Sequence, residues 1–331
     1  MYLIIISLKS YKKTSWGGED SKMNKDSKIY VAGHTGMVGS AIVRCLQNNG
    51  YNNIIIRSHA KLDLTNQKAT EEFFEEQKPE YVFIAAAKVG GIHANNSYPA
   101  DFIMENMLIE CNVIRSAYQN NVKKLMFLGS SCIYPKTCPQ PIKEEYLLTG
   151  LLEPTNEPYA LAKISGIKMC QSYNKQHGTR YICAMPASLY GINDTFDVYN
   201  SHVIPSMIIK IHKAKTESIP FVELWGTGTP LREFLYVDDL ADACLSLMQT
   251  YEGNDFVNIG SGNEISINEL AIIIKKVVGY NGDIIFDTTK PDGTPRRVLH
   301  NSKIEETGWR PRVSMEEGIR REYKYYLDYV L

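Results

Sequence analysis

From residue 28 onward, short β-branched runs alternate with longer stretches of helical periodicity. Residues 29–32 read Ile-Tyr-Val-Ala, an apolar run of strand length, and a glycine loop leads from them into an amphipathic stretch over 37–49. Strand-like runs recur at 53–57, 81–84, 124–128 and 180–185. Helical stretches at 66–77, 99–118 and 158–177 separate them, the first placing Phe73 and Phe74 on its inner face. Strands that alternate with helices predict a Rossmann-type α/β fold with a doubly wound parallel sheet, because each parallel pairing needs a crossover.

After Gly191 the alternation weakens. Residues 200–215 predict a helix, Pro, Gly and Trp crowd 219–230, and a helix over 237–250 with a strand at 256–259 reads as a return to the sheet. Ser266 with Glu269 three residues on forms a capping-box signature that opens a helix over 266–278. The run 290–297 is a loop ending in two adjacent cations, Arg296 and Arg297. The expected organisation is a loosely ordered extension over 1–27 and a dinucleotide-binding domain over 28–190, with a return segment at 232–262. A smaller C-terminal substrate-binding lobe, 191–231 and 263–331, would lie over the carboxyl edge of the sheet, where open α/β sheets bind ligands.

Composition narrows the partners. The chain has 331 residues, 44% hydrophobic and 22% charged, which suits a globular protein with a large core. Its formal charge is -1, with 36 basic and 37 acidic side chains well mixed, so no nucleic-acid partner is expected. The seven cysteines, an odd number, form neither a CxxC pair nor a zinc-spaced Cys/His cluster, so no metal is expected and reduced cytoplasmic thiols are the simplest reading. The apolar start, Met1 to Ile6, is too short to span a membrane and has no basic residue ahead of it. A signal peptide is therefore the less favoured reading, and Met23 would serve as an alternative start.

Gly33-His34-Thr35-Gly36-Met37-Val38-Gly39 lies between the first strand and first helix. Glycines allow a tight turn and close backbone approach, and a helix N-terminus offers N–H donors to a pyrophosphate. The spacing is GxxGxxG, and alone it could be a plain tight turn; its placement favours a cofactor loop. Arg57 ends the second strand where NAD enzymes often carry an acid, and a cation there tolerates the 2′-phosphate of NADP. Asp63-Leu64 would border the adenine.

Tyr159 and Lys163 are four apart on one face of a predicted helix. An ammonium beside a phenol favours the phenolate, so Lys163 is expected to lower the Tyr159 pKa. YxxxK occurs often by chance, but Leu128-Gly129-Ser130-Ser131-Cys132 closes the fourth strand, where a hydroxyl can meet a substrate carbonyl. Glycine loop, strand-end serine and YxxxK in this order make a stronger pattern than any one of them.

These residues resemble the extended short-chain dehydrogenase/reductase family, and within it the members that epimerise and reduce GDP-4-keto-6-deoxymannose. The resemblance runs from about Lys28 to the C-terminus. It is carried by Ala85-Ala86-Ala87-Lys88-Val89-Gly90-Gly91-Ile92, by 128–135, by 153–160, by Asn200-Ser201-His202-Val203-Ile204-Pro205 and by 225–234. It implies that Cys132 and His202 invert C3 and C5 as a base/acid pair. NADPH would then reduce C4 while Tyr159 protonates the oxygen, Ser130 hydrogen-bonds it and Lys163 tunes the tyrosine. Positive surroundings would favour a Cys132 thiolate. Without the resemblance, Cys132 reads as a small buried residue and His202 as a helix cap.

The resemblance further implies that Leu128, Gly129, Ser130, Ser131, Lys163, His202 and the turn Pro186-Ala187-Ser188-Leu189 border the cofactor, and that Lys210, Trp225, Arg232 and Asp292 hold the nucleotide sugar. It implies a homodimer through the helices over 99–118 and 158–177. Two departures matter. Thr35 stands where relatives commonly carry a basic residue and His59 where they carry arginine, which weakens the expected preference for NADPH; Ala187-Ser188 replaces a usual Thr-Asn. The rival readings are a 4-epimerase or 4,6-dehydratase that retains NAD, and a non-catalytic dinucleotide-binding protein. A dehydratase would want Asp-Glu where this chain has Ser131-Cys132, and a binding module could dispense with the Tyr/Lys pair.

Overall fold

The computed structural model describes residues 23–197, 201–290 and 292–331. The first half alternates as the pattern predicts. It runs β1 (Ile29–Ala32), α1 (Met37–Asn48), β2 (Ile54–Ile55), α2 (Gln67–Gln77) and β3 (Tyr81–Ile84). A short α3 (Ile92–Ser97) precedes α4 (Pro99–Gln119), β4 (Lys124–Leu128), α5 (Glu157–His177) and β5 (Tyr181–Pro186). Next come β6 (Ser188–Tyr190), α6 (Val203–Thr216), β7 (Phe221–Trp225), β8 (Leu231–Tyr236), α7 (Val237–Thr250) and β9 (Val257–Ile259). The chain ends through β10 (Glu264–Ser266), α8 (Ile267–Val278), β11 (Asp283–Asp287), β12 (Arg296–Arg297), α9 (Ser302–Glu306) and α10 (Met315–Tyr329).

The central sheet is parallel throughout, in the order β2-β1-β3-β4-β5-β9. Every residue of β1, β3, β4 and β5 is buried, as expected of a sheet covered on both faces. Helix α1 packs beside α7, and α4 lies between α2 and α5. Because the strands are parallel, the ends of β1, β4 and β5 open on one edge, which is where the site forms.

A second core lies under β8, which pairs with β6, β10 and β12, and is built from α6, α8 and α10. The capping box of α8 is present: Ser266 Oγ accepts from Glu269 N–H at 3.1 Å, and Glu269 accepts from Ser266 N–H at 2.9 Å.

Several expectations are corrected. The strand over 53–57 contracts to Ile54–Ile55, an edge strand, beyond which Ile56 is exposed and Arg57 turns onto Phe73. Residues 232–236, expected to open the return segment of the dinucleotide-binding domain, belong to β8 of the second sheet, although Leu235 packs into the main core. Leu299, Ile304 and Trp309, expected in the smaller lobe, join the main core, because α9 packs on β9 and Trp309 Nε1 donates to Asp242 Oδ2 of α7 at 3.0 Å. Helix α10 carries no signal used in the sequence reading. Met23 is buried in the main core and Asn24 to Ser27 closes a turn, so this part of the expected extension packs. Residues 1–22 lie outside the described residues, as does Asn200.

Candidate active site

The chain leaves β1 through Gly33, at φ +81°, where a Cβ would stand 2.6 Å from the Ala86 nitrogen. A Cβ on Gly39 would come 2.1 Å from the Gly33 oxygen. These two contacts explain why the loop needs glycine. Helix α1 starts after Gly36 with no side-chain cap and no acid in its first turn, leaving its N–H groups and positive dipole end to an anion. His34 Nδ1 is buried without a partner among the described residues, Met37 and Val38 pack against the core, and Thr35 is exposed. The cradle fits a dinucleotide diphosphate.

Arg57 donates to the Ile56 carbonyl at 2.9 Å with its guanidinium 5.7 Å from the Phe73 ring centroid. His59 is exposed, 3.9 Å from Asp63 Oδ1. Asp63 accepts from the Thr65 hydroxyl and N–H, which hold its carboxyl below the usual range. The buried Leu64 gives its carbonyl to Asn112 Nδ2 of α4 at 2.8 Å. Past Leu128, a Cβ on Gly129 would meet Met185 Sδ at 2.3 Å, and Gly129 N–H donates to Ala184 at 2.9 Å. Ala187, after Pro186, donates to the Ile259 carbonyl at 2.9 Å as Ser188 and Leu189 enter β6.

Ser130 is the hub of the reacting group. Cys132 Sγ donates to its hydroxyl at 3.1 Å, and the Tyr159 phenol is hydrogen-bonded to it as well. Cys132 reaches this position on the single turn of 3-10 helix, Ser131–Ile133, that Ser130 caps. Tyr159 and Lys163 follow from α5, one turn apart, with the Lys163 ammonium 5.9 Å from the Tyr159 ring centroid. The ammonium pairs at 3.2 Å with Glu110 of α4, and both side chains are buried. Glu110 was not among the residues singled out by sequence. Its signal is a carboxyl on the stripe Phe102, Asn106, Glu110, Val113 and Ala117, the buried face of α4.

Two expectations about protonation are overturned. The Tyr159 phenol is held well above its usual pKa, not lowered: burial dominates, Cys132 and Glu110 add to it, and the Ser130 hydrogen bond opposes it. Lys163 has its charge offset by Glu110. The Cys132 thiol is likewise pushed up by burial, although the Ser130 hydrogen bond, Arg297 and Lys163 all pull it down. The positive surroundings exist, but burial outweighs them.

Arg297 is the second residue whose place sequence reading missed. It was legible only as half of a cation pair in a loop. From β12 its Nη2 donates to the Ser131 carbonyl at 3.2 Å, and it lowers the Arg232 pKa after burial has done so. Asp292 gives both carboxylate oxygens to Thr227, at 2.9 Å to the N–H and 2.7 Å to the hydroxyl, and raises the Arg232 pKa. Trp225 is exposed, with Lys290 5.8 Å from its ring centroid, and Lys210 is half-buried on α6.

His202 is exposed at the N-cap of α6. It makes no hydrogen bond or ion pair with Cys132 or Tyr159 among the described residues. Its charge is felt by Asp194, whose carboxyl is raised by burial and lowered by the Thr195 N–H and then His202. Thus Ser130, Cys132, Tyr159 and Lys163 converge directly, and His202 enters from a separate element.

A glycine cradle at the end of β1 and a serine–tyrosine–lysine group at the end of β4 define a nucleotide-dependent oxidoreductase or epimerase site. The sequence model of the NAD dependent epimerase/dehydratase family matches residues 29–260, and the chain belongs to that family. Within it, the chain is 58% identical to GDP-L-fucose synthase 1 of Arabidopsis thaliana, over 95% of this chain and 98% of the relative. It is 49% identical to the GDP-L-fucose synthase of Escherichia coli K12, over 91% and 97%. Among solved structures, a GDP-mannoheptose C4 reductase from Campylobacter jejuni with NADP bound superposes with a TM-score of 0.85. That match has 40% identity and covers 92% of this chain and 99% of that one. No helix among the described residues is long and apolar enough to cross a membrane.

Proposed function

We propose that this chain epimerises GDP-4-keto-6-deoxymannose at C3 and C5 and reduces C4 with NADPH, giving GDP-L-fucose. The observation that carries the reading is the single hydroxyl, Ser130, shared by a thiol and a phenol. A reductase alone needs the phenol; a nearby thiol adds a group able to take a proton from carbon. The C4 ketone acidifies C3–H and C5–H, and Cys132 is the base that removes them while His202 returns a proton to the opposite face. Tyr159 then protonates the C4 oxygen, which Ser130 holds in place. NADPH, when bound, supplies the hydride to C4. The loop 33–39 and Lys163 would hold it, and Arg57 is the cation left to meet the 2′-phosphate. Arg232, Lys210 and Trp225 would take the GDP moiety, with Asp292 fixing the turn at Thr227.

The protein acts in this reading as a cytoplasmic homodimer, with its seven free thiols reduced. Met104 and Leu108 on α4 and Leu161 on the adjacent α5 are exposed, an apolar stripe suited to a second copy of the same two helices. Product analysis with GDP-4-keto-6-deoxymannose tests the activity. Stoichiometric consumption of NADPH, in preference to NADH, with GDP-L-fucose formed is the expected result. A C4-reduced sugar with unchanged C3 and C5, or turnover without net cofactor consumption, would refute it.

A further inference from the structure

Lys163 and Glu110 form the most deeply buried ion pair among the described residues, 2% and 1% exposed at the side chain, yet neither belongs to a larger salt-bridge network. Breaking a pair buried this deeply leaves an uncompensated charge in a low-dielectric site. The packing around it is close: a Cβ on Gly166 would stand 2.8 Å from Glu110 Oε2 and 2.4 Å from Phe127, so α5 uses glycine where it crosses the carboxylate. On the other side the Lys163 ammonium sits 4.7 Å from the Phe127 ring centroid, so apolar surface closes off the pair.

We propose that Glu110 is a positioning residue: it holds Lys163 as a neutralised buried pair and so, together with the exclusion of water around the phenol, keeps Tyr159 in the proton-bearing state that reduction of a ketone requires. The inference rests on the reading of Tyr159 as proton donor. In a site running toward ketone, the tyrosine would have to accept a proton, and an unopposed lysine would assist it. Toward alcohol the tyrosine must arrive protonated, and an unopposed ammonium would favour loss of that proton to water. The remaining titratable groups set against the pair are Tyr159 and Cys170 on α5, Cys111 on α4 and Cys132 beyond β4. Burial raises all four, so at neutral pH none supplies a competing charge. Glu110 itself is raised by burial and lowered by Lys163, through charge and direct contact.

The test is read in the free protein, with tyrosine and lysine isotope-labelled and the Tyr159 and Lys163 resonances followed against pH. In Glu110→Gln the Tyr159–Lys163 pair should lose its first proton at lower pH, by about one unit or more. The alkaline limb of the NADPH-dependent reduction should move the same way, and C3/C5 proton exchange should fall less than reduction. Glu110→Asp keeps the charge at a longer distance and should shift both readouts only partly. If Glu110→Gln does not fold, Glu110→Asp carries the test alone through that partial shift. An unmoved titration in a folded variant, or reduction and exchange lost in equal proportion with an unmoved alkaline limb, would overturn the proposal. The titration needs neither substrate nor cofactor, so it stands apart from whether the wild-type chain turns over GDP-4-keto-6-deoxymannose.

Discussion

Ser130 accepts from the Cys132 thiol and is hydrogen-bonded to the Tyr159 phenol, yet in the proposed reaction the two steps would use those groups in opposite senses. On that proposal reduction would need the phenol to give a proton, and its raised pKa suits that; epimerisation would need the thiol to take one, and its raised pKa opposes it. The two steps should therefore separate by mutation and by pH. Tyr159→Phe is expected to cut reduction by roughly 10²–10⁴-fold while sparing deuterium exchange at C3 and C5. Cys132→Ser should suppress that exchange by a comparable factor, and in the wild type exchange should accelerate toward alkaline pH as the thiol ionises. Mass spectrometry in heavy water checks both, and parallel loss of both activities in each folded variant contradicts the division. Ser130, Tyr159 and Lys163 were legible because their chemistry follows from residue type and order, whereas Cys132 stood out only through the family resemblance, since a lone thiol after a strand otherwise reads as a small buried residue. Glu110 was not, since a carboxylate on a helix reads as solvated until the neighbouring helix covers it.

Helices α4 and α5 do two jobs with two faces. Their inner faces bring Glu110 to Lys163, and their outer faces expose Met104, Leu108 and Leu161. If those outer faces bury each other across a two-fold axis, Met104→Glu should convert a dimer to monomer in sedimentation with the monomer still folded. A wild-type monomer, or a variant dimer of unchanged affinity, rules that arrangement out. At this scale the pattern was readable where apolar runs are long: β1, β3, β4 and helices α4, α5 and α7 fall within a residue or two of expectation. It was poorest at β2, where the edge position leaves only Ile54–Ile55 paired, and across β6, β8, β10 and β12, short strands whose partners come from distant segments.

Two cores share the molecule, and Glu322 of α10 lies wholly inside the second. Neither of its carboxylate oxygens has a hydrogen-bond partner among the described residues, and burial, reinforced by the Asp194 charge, holds its carboxyl well above the usual range. The folded chain keeps Glu322 protonated where the unfolded chain has already ionised it. Its contribution is thus fully present below the usual carboxylate range and is lost as pH rises toward the raised folded value. Glu322→Leu should raise the thermal midpoint at mildly alkaline pH and gain much less under acid conditions, by scanning calorimetry. An equal gain at both would mean that packing, not ionisation, governs the site.

Sequence alone determined the βα alternation, the glycine turn after β1 and the order of serine, thiol, phenol and lysine, because these depend on local periodicity, on backbone freedom and on side-chain chemistry. Tertiary structure decided what those groups are in practice. Whether a thiol or phenol keeps its proton depends on how much water its surroundings exclude. Which acid faces Lys163, and which cation faces Ser131, depends on segments far apart in the chain meeting at one edge of the sheet.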